Sequence, residues 1–241
     1  MIKVHSVESL GTFDGPGIRL VIFLQGCNFK CLYCANPDTI DCLGGINYTP
    51  ESILQLARNQ RAFFGAKGGV TISGGEPLMQ ANALKELFVM LKADGFNTCI
   101  DTNGSILSSD VKSLLDYTDL VLLDIKHIDS AKHNILTGLS NSRTLAFAKY
   151  LHEQNKPVWI RYVLVPGYSN AVNDMHRLGQ FLKEMPNVEK LEIQPYHKLG
   201  VHKYAALGWD YQLNDVQVNT QEQLNEARDI FSRYVREVVI N

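Results

Sequence analysis

The residues of this sequence most suited to chemistry are three cysteines within eight positions. Cys27, Cys31 and Cys34 are spaced C-x3-C-x2-C, so one short loop carries all three thiols. A closed structural zinc site takes four protein ligands, and an ordinary iron–sulfur cubane takes four cysteines. Three ligands leave one metal atom open to an outside molecule, as a reactive metal site requires.

Cysteines at this spacing have two other common roles, in a disulfide and in a zinc site. A structural disulfide is disfavoured because the chain has five cysteines, an odd number, and no secretory signal precedes them. Zinc stays open on spacing alone, since Cys42 or a distant histidine can supply a fourth ligand.

Length and composition bound the class of protein. The chain has 241 residues, 45% hydrophobic and 20% charged, which is typical of a globular protein with a sizeable core. We expect a single domain over residues 1–241. The net charge of -2 gives no sign of a nucleic-acid or membrane partner. The sequence shows neither a signal peptide nor an apolar run of transmembrane length, so we expect a cytoplasmic protein with reduced thiols.

Short apolar segments alternate with helical segments along most of the chain. The predicted strands are Lys3–Val7, Arg19–Gln25, Gly69–Ser73, Asn97–Asp101, Leu120–Asp124, Val158–Leu164 and Val188–Gln194, with a last strand near Glu237–Ile240. The predicted helices are one that begins at Pro50, then Gln80–Ala93, Ser109–Tyr117, Ala131–Leu136, Thr144–Gln154, Asn173–Met185 and Thr220–Val235. Thr49 is the expected N-cap of the first helix, whose inner face we assign to Leu54, Leu56, Ala57 and Phe63.

This alternation predicts an α/β fold with parallel strands and helices outside them. Six strand–helix units are too few for an eightfold barrel. We therefore predict an open, partial (β/α)6 barrel of the TIM type. A doubly wound flat sheet is the alternative.

Glycine or polar residues follow each of the six central strands. In chain order these are the cysteine loop, Ser73–Pro77, Asp101–Gly104, Asp124–Lys126, Pro166–Asn170 (with Arg161 inside the preceding strand) and Gln194–His197. Active sites of barrels lie at the carboxyl ends of the strands. The six segments are therefore expected to converge on one rim.

Each of these segments also has an ordinary interpretation. Gly74 and Gly75 can form a simple turn, and Asp124 with Lys126 can form a surface ion pair. His197 can be a packed histidine. Arg161, between apolar neighbours, needs an anionic partner if it is buried. The functional interpretation rests on all six segments meeting.

The cysteine spacing resembles that of the radical S-adenosylmethionine (radical SAM) enzymes. That resemblance implies a [4Fe–4S] cluster with one iron free to bind S-adenosylmethionine, and the partial barrel found in many of those enzymes. Longer stretches resemble one family among them, the activating enzymes of glycyl radical enzymes of the pyruvate formate-lyase type. These stretches are Gly11–Cys34, Asp101–Gly104, Trp159–Val163 and Gln194–Gly200, and the resemblance runs nearly end to end.

The resemblance implies roles for particular residues. Cys27, Cys31 and Cys34 would bind the cluster. The S-adenosylmethionine site would contain Tyr33, Cys34, Ala35, Gly75, Asp124, Ile125, Lys126, Arg161 and His197. Asp101, Thr102 and Asp124 match a monovalent-cation site in the family. Asp14 lies in a loop that matches the region near the substrate glycine.

The implied reaction is reductive cleavage of S-adenosylmethionine to a 5′-deoxyadenosyl radical, which takes a hydrogen atom from a glycine Cα of pyruvate formate-lyase. The resemblance also implies a low-potential electron donor such as flavodoxin or ferredoxin, and a monomer. No residue is assigned as a general acid or base, because the cofactors carry the chemistry. A radical SAM enzyme that activates another glycyl radical enzyme or acts on a small molecule, and a zinc-binding module, are the alternatives.

The sequence departs from the family pattern at two positions. Ala35 stands where histidine is expected, and Pro77 follows Glu76 where the relatives can have alanine. A contact through the backbone of residue 35 would make the first change mild. Cys42 and Cys99 are too few to build the additional cluster domain of many other activases, which favours the pyruvate formate-lyase type.

Overall fold

A computed structural model describes every residue from Met1 to Asn241. Its strands are β1 Ile2–Gly11, β2 Arg19–Leu24, β3 Ile46–Tyr48, β4 Gly69–Gly74, β5 Asn97–Thr102, β6 Leu120–Asp124, β7 Val158–Leu164, β8 Val188–Pro195 and β9 Val238–Ile240. Its α-helices are α1 Pro50–Phe64, α2 Ala81–Ala93, α3 Ser109–Leu115, α4 Ser130–Thr137, α5 Ser142–Glu153, α6 Val172–Lys183, α7 Val201–Ala206 and α8 Gln221–Phe231. None of these helices combines the length and the apolar character that crossing a membrane would need.

The strands follow one another in the order β3-β1-β2-β4-β5-β6-β7-β8-β9. β1 pairs antiparallel with β2 and β3, whereas β2–β4, β4–β5, β7–β8 and β8–β9 are parallel pairs. The two end strands are not neighbours, so the sheet is open. Apart from β3, which lies at the edge next to β1, the spatial order from β2 to β9 is the chain order, without the reversal of a doubly wound sheet. The sequential order therefore agrees with the partial barrel.

The chain divides into two compact units. The first comprises Met1–Asn28, Thr39–Thr102 and Ile106–Leu122, and the second comprises Phe29–Asp38, Asn103–Ser105 and Leu123–Asn241. The expectation of one domain over the whole chain stays a prediction.

The first unit is built on the parallel strands β2, β4 and β5. Their register is unbroken: Arg19 pairs with Gly69, and Gly69 with Asn97. The apolar faces of α1 and α2 cover these strands, with Ile53 and Leu87 fully buried. The parallel pairing brings the ends of the three strands to one edge.

The second unit contains the parallel strands β7, β8 and β9 with the helices α4 to α8. Tyr162 of β7 is buried and packs edge-on against Phe231 of α8, with the ring centroids 5.3 Å apart. A separate apolar cluster of this unit is formed by residues that are far apart in the sequence. It contains Tyr33, Leu136, Val165, Tyr196, Tyr204, Tyr211 and Leu213.

Most predicted elements are present, and the differences lie at their ends and in two short elements, β3 and α7. β1 is twice as long as expected because it pairs with two neighbours, β2 and β3. β3 and α7 have three and six residues, too short to show a period in the sequence. α8 ends at Phe231 instead of continuing to Val235.

The predicted inner face of α1 is wrong at one position. Ile53, Leu54, Ala57 and Phe64 are buried, whereas Phe63 is 56% exposed. The stripe Ile53, Ala57, Phe64 follows the 3.6-residue period from the cap, and Phe63 falls a quarter turn outside it. Phe64 instead packs edge-on against Phe96.

The cap of α1 provides a test of local stability. The Thr49 side chain accepts a hydrogen bond from the Ser52 amide at 3.2 Å, and Pro50 is the first helical residue. We expect Thr49→Ala to lower the free energy of unfolding by about 1 kcal/mol, because one terminal amide loses its partner. Thr49→Ser keeps the acceptor and should match the parent. Urea unfolding of the metal-free protein measures both variants, and equal stability of all three proteins would contradict the role of the cap.

Candidate functional site

The loop that carries Cys31 and Cys34 is held by the end of helix α4. The Lys30 amide donates to the Thr137 carbonyl, and the Leu32 amide donates to the Leu136 carbonyl, both at 2.9 Å. Carbonyls at the end of a helix lack partners within the helix. α4 can offer them because Gly138, in the left-handed conformation at φ 83°, turns the chain away.

The segment that carries Cys27 is fixed separately in the first unit. The Gly26 amide donates to the Thr39 carbonyl at 2.7 Å, and the Cys27 amide donates to the Ile40 carbonyl at 3.2 Å. A Cβ added to Gly75 would lie 2.0 Å from the Gly26 carbonyl oxygen. Gly75 is therefore needed for the close approach of two backbone segments, a contact that the sequence did not reveal.

Lys126 and Asp124 form a largely buried ion pair at the end of β6. Their charged atoms are 2.8 Å apart, and the side chains are 12% and 17% exposed. The ammonium also lies 5.8 Å from the centre of the Tyr33 ring. Burial by itself disfavours the charged ammonium, but Asp124, Tyr33 and Cys31 outweigh it and raise the pKa of Lys126 well above its ordinary value. Lys126 is therefore a fixed positive charge beside the cysteine loop.

Burial disfavours the thiolate forms of the two cysteines of the second unit. Burial raises the pKa of Cys31 to about 12, although Lys126 opposes the shift, and burial also raises the pKa of Cys34. A thiol must lose its proton to bind a metal. Metal loading at these residues should therefore release protons and be favoured at higher pH.

Helix α7, which the sequence did not predict, holds the residues that follow Cys34. The Lys203 ammonium donates to Asn36 at 2.8 Å and contacts the Asp38 carboxylate at 3.0 Å. A Cβ on Gly200 would lie 2.6 Å from the Ala35 carbonyl oxygen, so α7 begins directly against residue 35. The backbone of Ala35 is thus packed from one side, whatever its side chain.

Arg161 is buried as expected and has a carboxylate partner. Its Nε lies 3.3 Å from Glu192, its neighbour on β8, and the other Glu192 oxygen lies 3.0 Å from Lys190. The Arg161 carbonyl accepts a hydrogen bond from the Ile125 amide at 3.2 Å. Arg161 and the end of β6 are therefore connected within the second unit.

Glu76, a residue without a role in the sequence-based prediction, connects the ends of β4 and β5 in the first unit. It is 1% exposed and accepts hydrogen bonds from the Thr102 hydroxyl at 2.6 Å and the Leu78 amide at 2.9 Å. Beside it, the Ser73 hydroxyl donates to Asp101 at 2.7 Å. Asp101 and Thr102 are thus both tied to the segment that contains Gly75.

Asp14 and His197 are the remaining predicted site residues. Asp14 lies in a loop bound to β4, since its carbonyl accepts from the Thr71 hydroxyl at 2.6 Å. His197 is exposed just after β8, and its Nδ1 accepts from the Leu199 amide at 3.4 Å. The second unit brings Cys31, Tyr33, Cys34, Asp124 and Lys126 together, whereas His197 makes only this local contact among the hydrogen bonds described.

Thiols are the donor groups that an iron–sulfur cluster takes. All five cysteines are free thiols, and Cys27, Cys31 and Cys34 are partly accessible. No group of three His, Cys, Asp or Glu side chains in the structure is arranged to hold one metal ion. Each cysteine of a cubane binds a different iron atom, so the ligands surround a larger body. The buried Tyr33 hydroxyl, which has no hydrogen-bond partner, gives the site an unused polar group for a cofactor.

Comparison with known proteins agrees with this donor set. The model of the radical SAM superfamily matches residues 21–178, more than half of the chain. Among solved structures, SuiB from Streptococcus suis bound to S-adenosylmethionine aligns with a TM-score of 0.71 and 21% identity, covering 93% of this chain and 50% of SuiB. A domain of a pyruvate-formate lyase-activating enzyme from Bacteroides vulgatus aligns with a TM-score of 0.62 and 23% identity, covering 72% and 99%. At these identities the structures establish the fold, and the predicted fold class is confirmed.

Two curated relatives are similar over nearly their whole length. The pyruvate formate-lyase 1-activating enzyme of Escherichia coli K12 is 46% identical over 240 residues, covering 98% of both chains. The pyruvate formate-lyase-activating enzyme of Staphylococcus aureus USA300 is 48% identical over 233 residues, covering 93% and 92%. The chain therefore belongs to the radical SAM superfamily and, within it, to the family of pyruvate formate-lyase-activating enzymes. The cofactors of this family are a [4Fe–4S] cluster and S-adenosylmethionine, so the zinc-binding alternative is set aside.

The cysteine loop gives a first prediction for this site. Cys27→Ala, Cys31→Ala and Cys34→Ala should each lose the cluster and all measurable cleavage of S-adenosylmethionine, because two thiolates cannot hold a cubane. Cys42→Ala and Cys99→Ser are the matched controls and should keep both. Iron and sulfide are counted after anaerobic reconstitution. Loss of the cluster in Cys42→Ala would reveal a fourth protein ligand and contradict an open iron.

The buried ion pair gives a second prediction. Asp124→Ala removes the carboxylate beside Lys126 and should weaken S-adenosylmethionine binding roughly tenfold or more, while the iron content stays unchanged. Asp229→Ala removes an exposed carboxylate from α8 and should bind like the parent. Calorimetric titration of the reconstituted proteins measures the affinities. Equal affinity in Asp124→Ala and the parent would place Asp124 outside the cofactor site.

Proposed function

We propose that this protein activates pyruvate formate-lyase by forming a radical on a backbone glycine of that enzyme. The observation that carries the proposal is the similarity over nearly full length to two enzymes named for this activity, at 46% and 48% identity. The aligned regions cover 98% and 93% of this chain. This similarity is much broader than a match of the cysteine motif would be.

The proposed roles follow the strand ends. Cys27, Cys31 and Cys34 bind three irons of the cluster. The S-adenosylmethionine site is assigned to Tyr33, Cys34, Ala35, Gly75, Asp124, Ile125, Lys126, Arg161 and His197. A monovalent cation is assigned to Asp101, Thr102 and Asp124, where it would offset the charges of neighbouring carboxylates.

When bound, the reduced cluster and S-adenosylmethionine supply a 5′-deoxyadenosyl radical able to take a hydrogen atom from a glycine Cα. The chain's own residues bind, orient and shield. Lys126 supplies fixed positive charge beside Cys31, held by Asp124 at 2.8 Å. Glu192 holds Arg161 in a buried position. None of these residues has to move a proton, so the protein contributes position and charge.

The Asp14 loop, residues 12–18 between β1 and β2, is the proposed contact with the protein substrate. Thr71 binds the Asp14 carbonyl and pairs with Cys99 in the parallel register. Ser73 and Asp101 lie two residues further along the same strands, and side chains two apart share a face. Within the first unit the loop therefore lies on the sheet face that also carries the Ser73–Asp101 pair.

The proposal includes the partners and setting of the reaction. Pyruvate formate-lyase is the protein substrate, and flavodoxin or ferredoxin supplies the electron. The protein acts as a monomer in the cytoplasm. Glycine suits the reaction because its Cα hydrogens are not shielded by a side chain and its backbone tolerates unusual dihedral angles.

The test is anaerobic reconstitution with pyruvate formate-lyase, read by electron paramagnetic resonance. We expect a glycyl radical on the lyase, and deuterium from labelled lyase glycine should appear in 5′-deoxyadenosine. Cleavage of S-adenosylmethionine without a radical on the lyase would move the assignment to another glycyl radical enzyme or to a small-molecule substrate.

The role of Asp14 can be tested separately. Asp14→Ala should slow activation of the lyase at least about tenfold, while slow cleavage of S-adenosylmethionine without the lyase changes much less. The reason is that the carboxylate would contact only the protein substrate. 5′-deoxyadenosine is measured with and without the lyase in one preparation. Glu8→Ala, an exposed acid on β1, is the control. An equal loss of both rates in Asp14→Ala would place this residue in folding or in cofactor binding.

A further inference from the structure

Arg19 is a fully buried cation whose hydrogen bonds all go to neutral acceptors. Its Nε donates to the Thr71 hydroxyl at 2.5 Å, and one terminal nitrogen donates to the Pro16 carbonyl at 3.0 Å. The other terminal nitrogen donates to the Val70 carbonyl and to two oxygens of Asn97, at 2.9 to 3.3 Å. A buried guanidinium is costly to desolvate. An apolar residue at this position would avoid the free energy of desolvation, so the buried guanidinium indicates a specific role for Arg19.

The Thr71 hydroxyl extends this network to the Asp14 loop. It accepts from Arg19 and donates its single hydrogen to the Asp14 carbonyl at 2.6 Å. Since Arg19 also binds the Pro16 carbonyl, the carbonyls of both residues that flank Gly15 are held. We call Arg19 and Thr71 the loop tether.

The loop also lacks room to relax. Gly15 has φ +123°, and a Cβ there would lie 3.0 Å from Arg19 Cδ and 3.2 Å from the Cys99 sulfur. Gly17 has φ +70°, and a Cβ there would lie 2.6 Å from the Gly68 amide nitrogen. Both glycines adopt the left-handed conformation that other residues avoid. The loop is therefore set in one conformation by its tether and by its packing.

We propose that Arg19 and Thr71 are positioning residues that preset the Asp14 loop to receive the glycine-bearing segment of the protein substrate. The inference rests on the proposed function, in which Asp14 contacts that segment. A flexible segment loses entropy on binding, and a preorganised loop avoids adding its own loss. The tether should accordingly act on recognition of the lyase much more than on cleavage of S-adenosylmethionine.

The first measurement uses the metal-free protein and needs no activity. Hydrogen exchange of the amides at residues 13–15 and 17 is compared in the parent, Thr71→Val and Thr71→Ser. Valine has nearly the shape of threonine without its hydroxyl, whereas serine keeps the hydroxyl. We expect exchange about tenfold faster in Thr71→Val and close to the parent in Thr71→Ser. Unchanged exchange in Thr71→Val would overturn the tether.

The second measurement uses the reconstituted enzymes with increasing concentrations of pyruvate formate-lyase. We expect Thr71→Val to raise the KM for the lyase about tenfold, with a much smaller effect on cleavage without the lyase, and Thr71→Ser to restore the parent KM. Arg19→Lys keeps the charge but loses the fork of donors, so it should behave like Thr71→Val and serves if that variant folds poorly. A parent KM in both Thr71→Val and Arg19→Lys, or equal defects in valine and serine, would overturn the positioning role. Failure of the parent to form a glycyl radical on the lyase would instead overturn the proposed function, and the exchange measurement would still decide the tether.

Discussion

The hydrogen bonds between the cysteine loop and the end of helix α4 are the constraint on which the position of Cys31 in the second unit depends. A loop with thiols at three close positions has no regular structure of its own, so its backbone amides need partners. The amides of Lys30 and Leu32 find them in the last carbonyls of α4, at 2.9 Å each. Each of these bonds satisfies the loop and the helix end at once, which fixes where Cys31 can lie.

Further contacts hold the residues around the cysteines in place. Phe29, between the cysteines, is buried and meets the His133 ring of α4 edge-on, with centroids 5.5 Å apart. His133 is itself held at Nδ1 by the Leu139 carbonyl at 2.7 Å. Just after Cys34, Asn36 and Asp38 are bound by Lys203 of α7. The loop is thus held from two helices distant from it in sequence.

Each unit contains buried charged side chains with defined partners. Arg19 is paired with carbonyls and a hydroxyl, Lys126 with Asp124, and Arg161 with Glu192. A buried charge loses its hydration, which costs free energy, so it needs partners that compensate for the loss. Lys126 lies near enough to Cys31 to affect the pKa of its thiol. Arg19 instead holds the Pro16 carbonyl and the Thr71 hydroxyl.

Several features were readable from the sequence because their physical cause is local. The apolar, β-branched runs predicted the six central strands. Thr49–Pro50 predicted the start of α1, because capping involves only neighbouring residues. The spacing of three cysteines pointed to an incomplete ligand set for the same reason. Arg161 was expected to need an anion because it interrupts an apolar strand, although the identity of Glu192 as its partner was not foreseen.

Other features were decided only by tertiary structure. Glu76 reaches Thr102 across 26 residues, Thr71 reaches Asp14 across 57, and Lys203 reaches Asp38 across 165. Such contacts have no period or spacing in the sequence, because they depend on which strands and helices become neighbours after folding. Phe63 and Phe64 show the same limit on a smaller scale, since only the packing against Phe96 selects the buried ring. The sequence by itself determined the kind of fold and the chemistry of the cysteine loop, and the tertiary structure determined which side chains hold that loop and its neighbours in place.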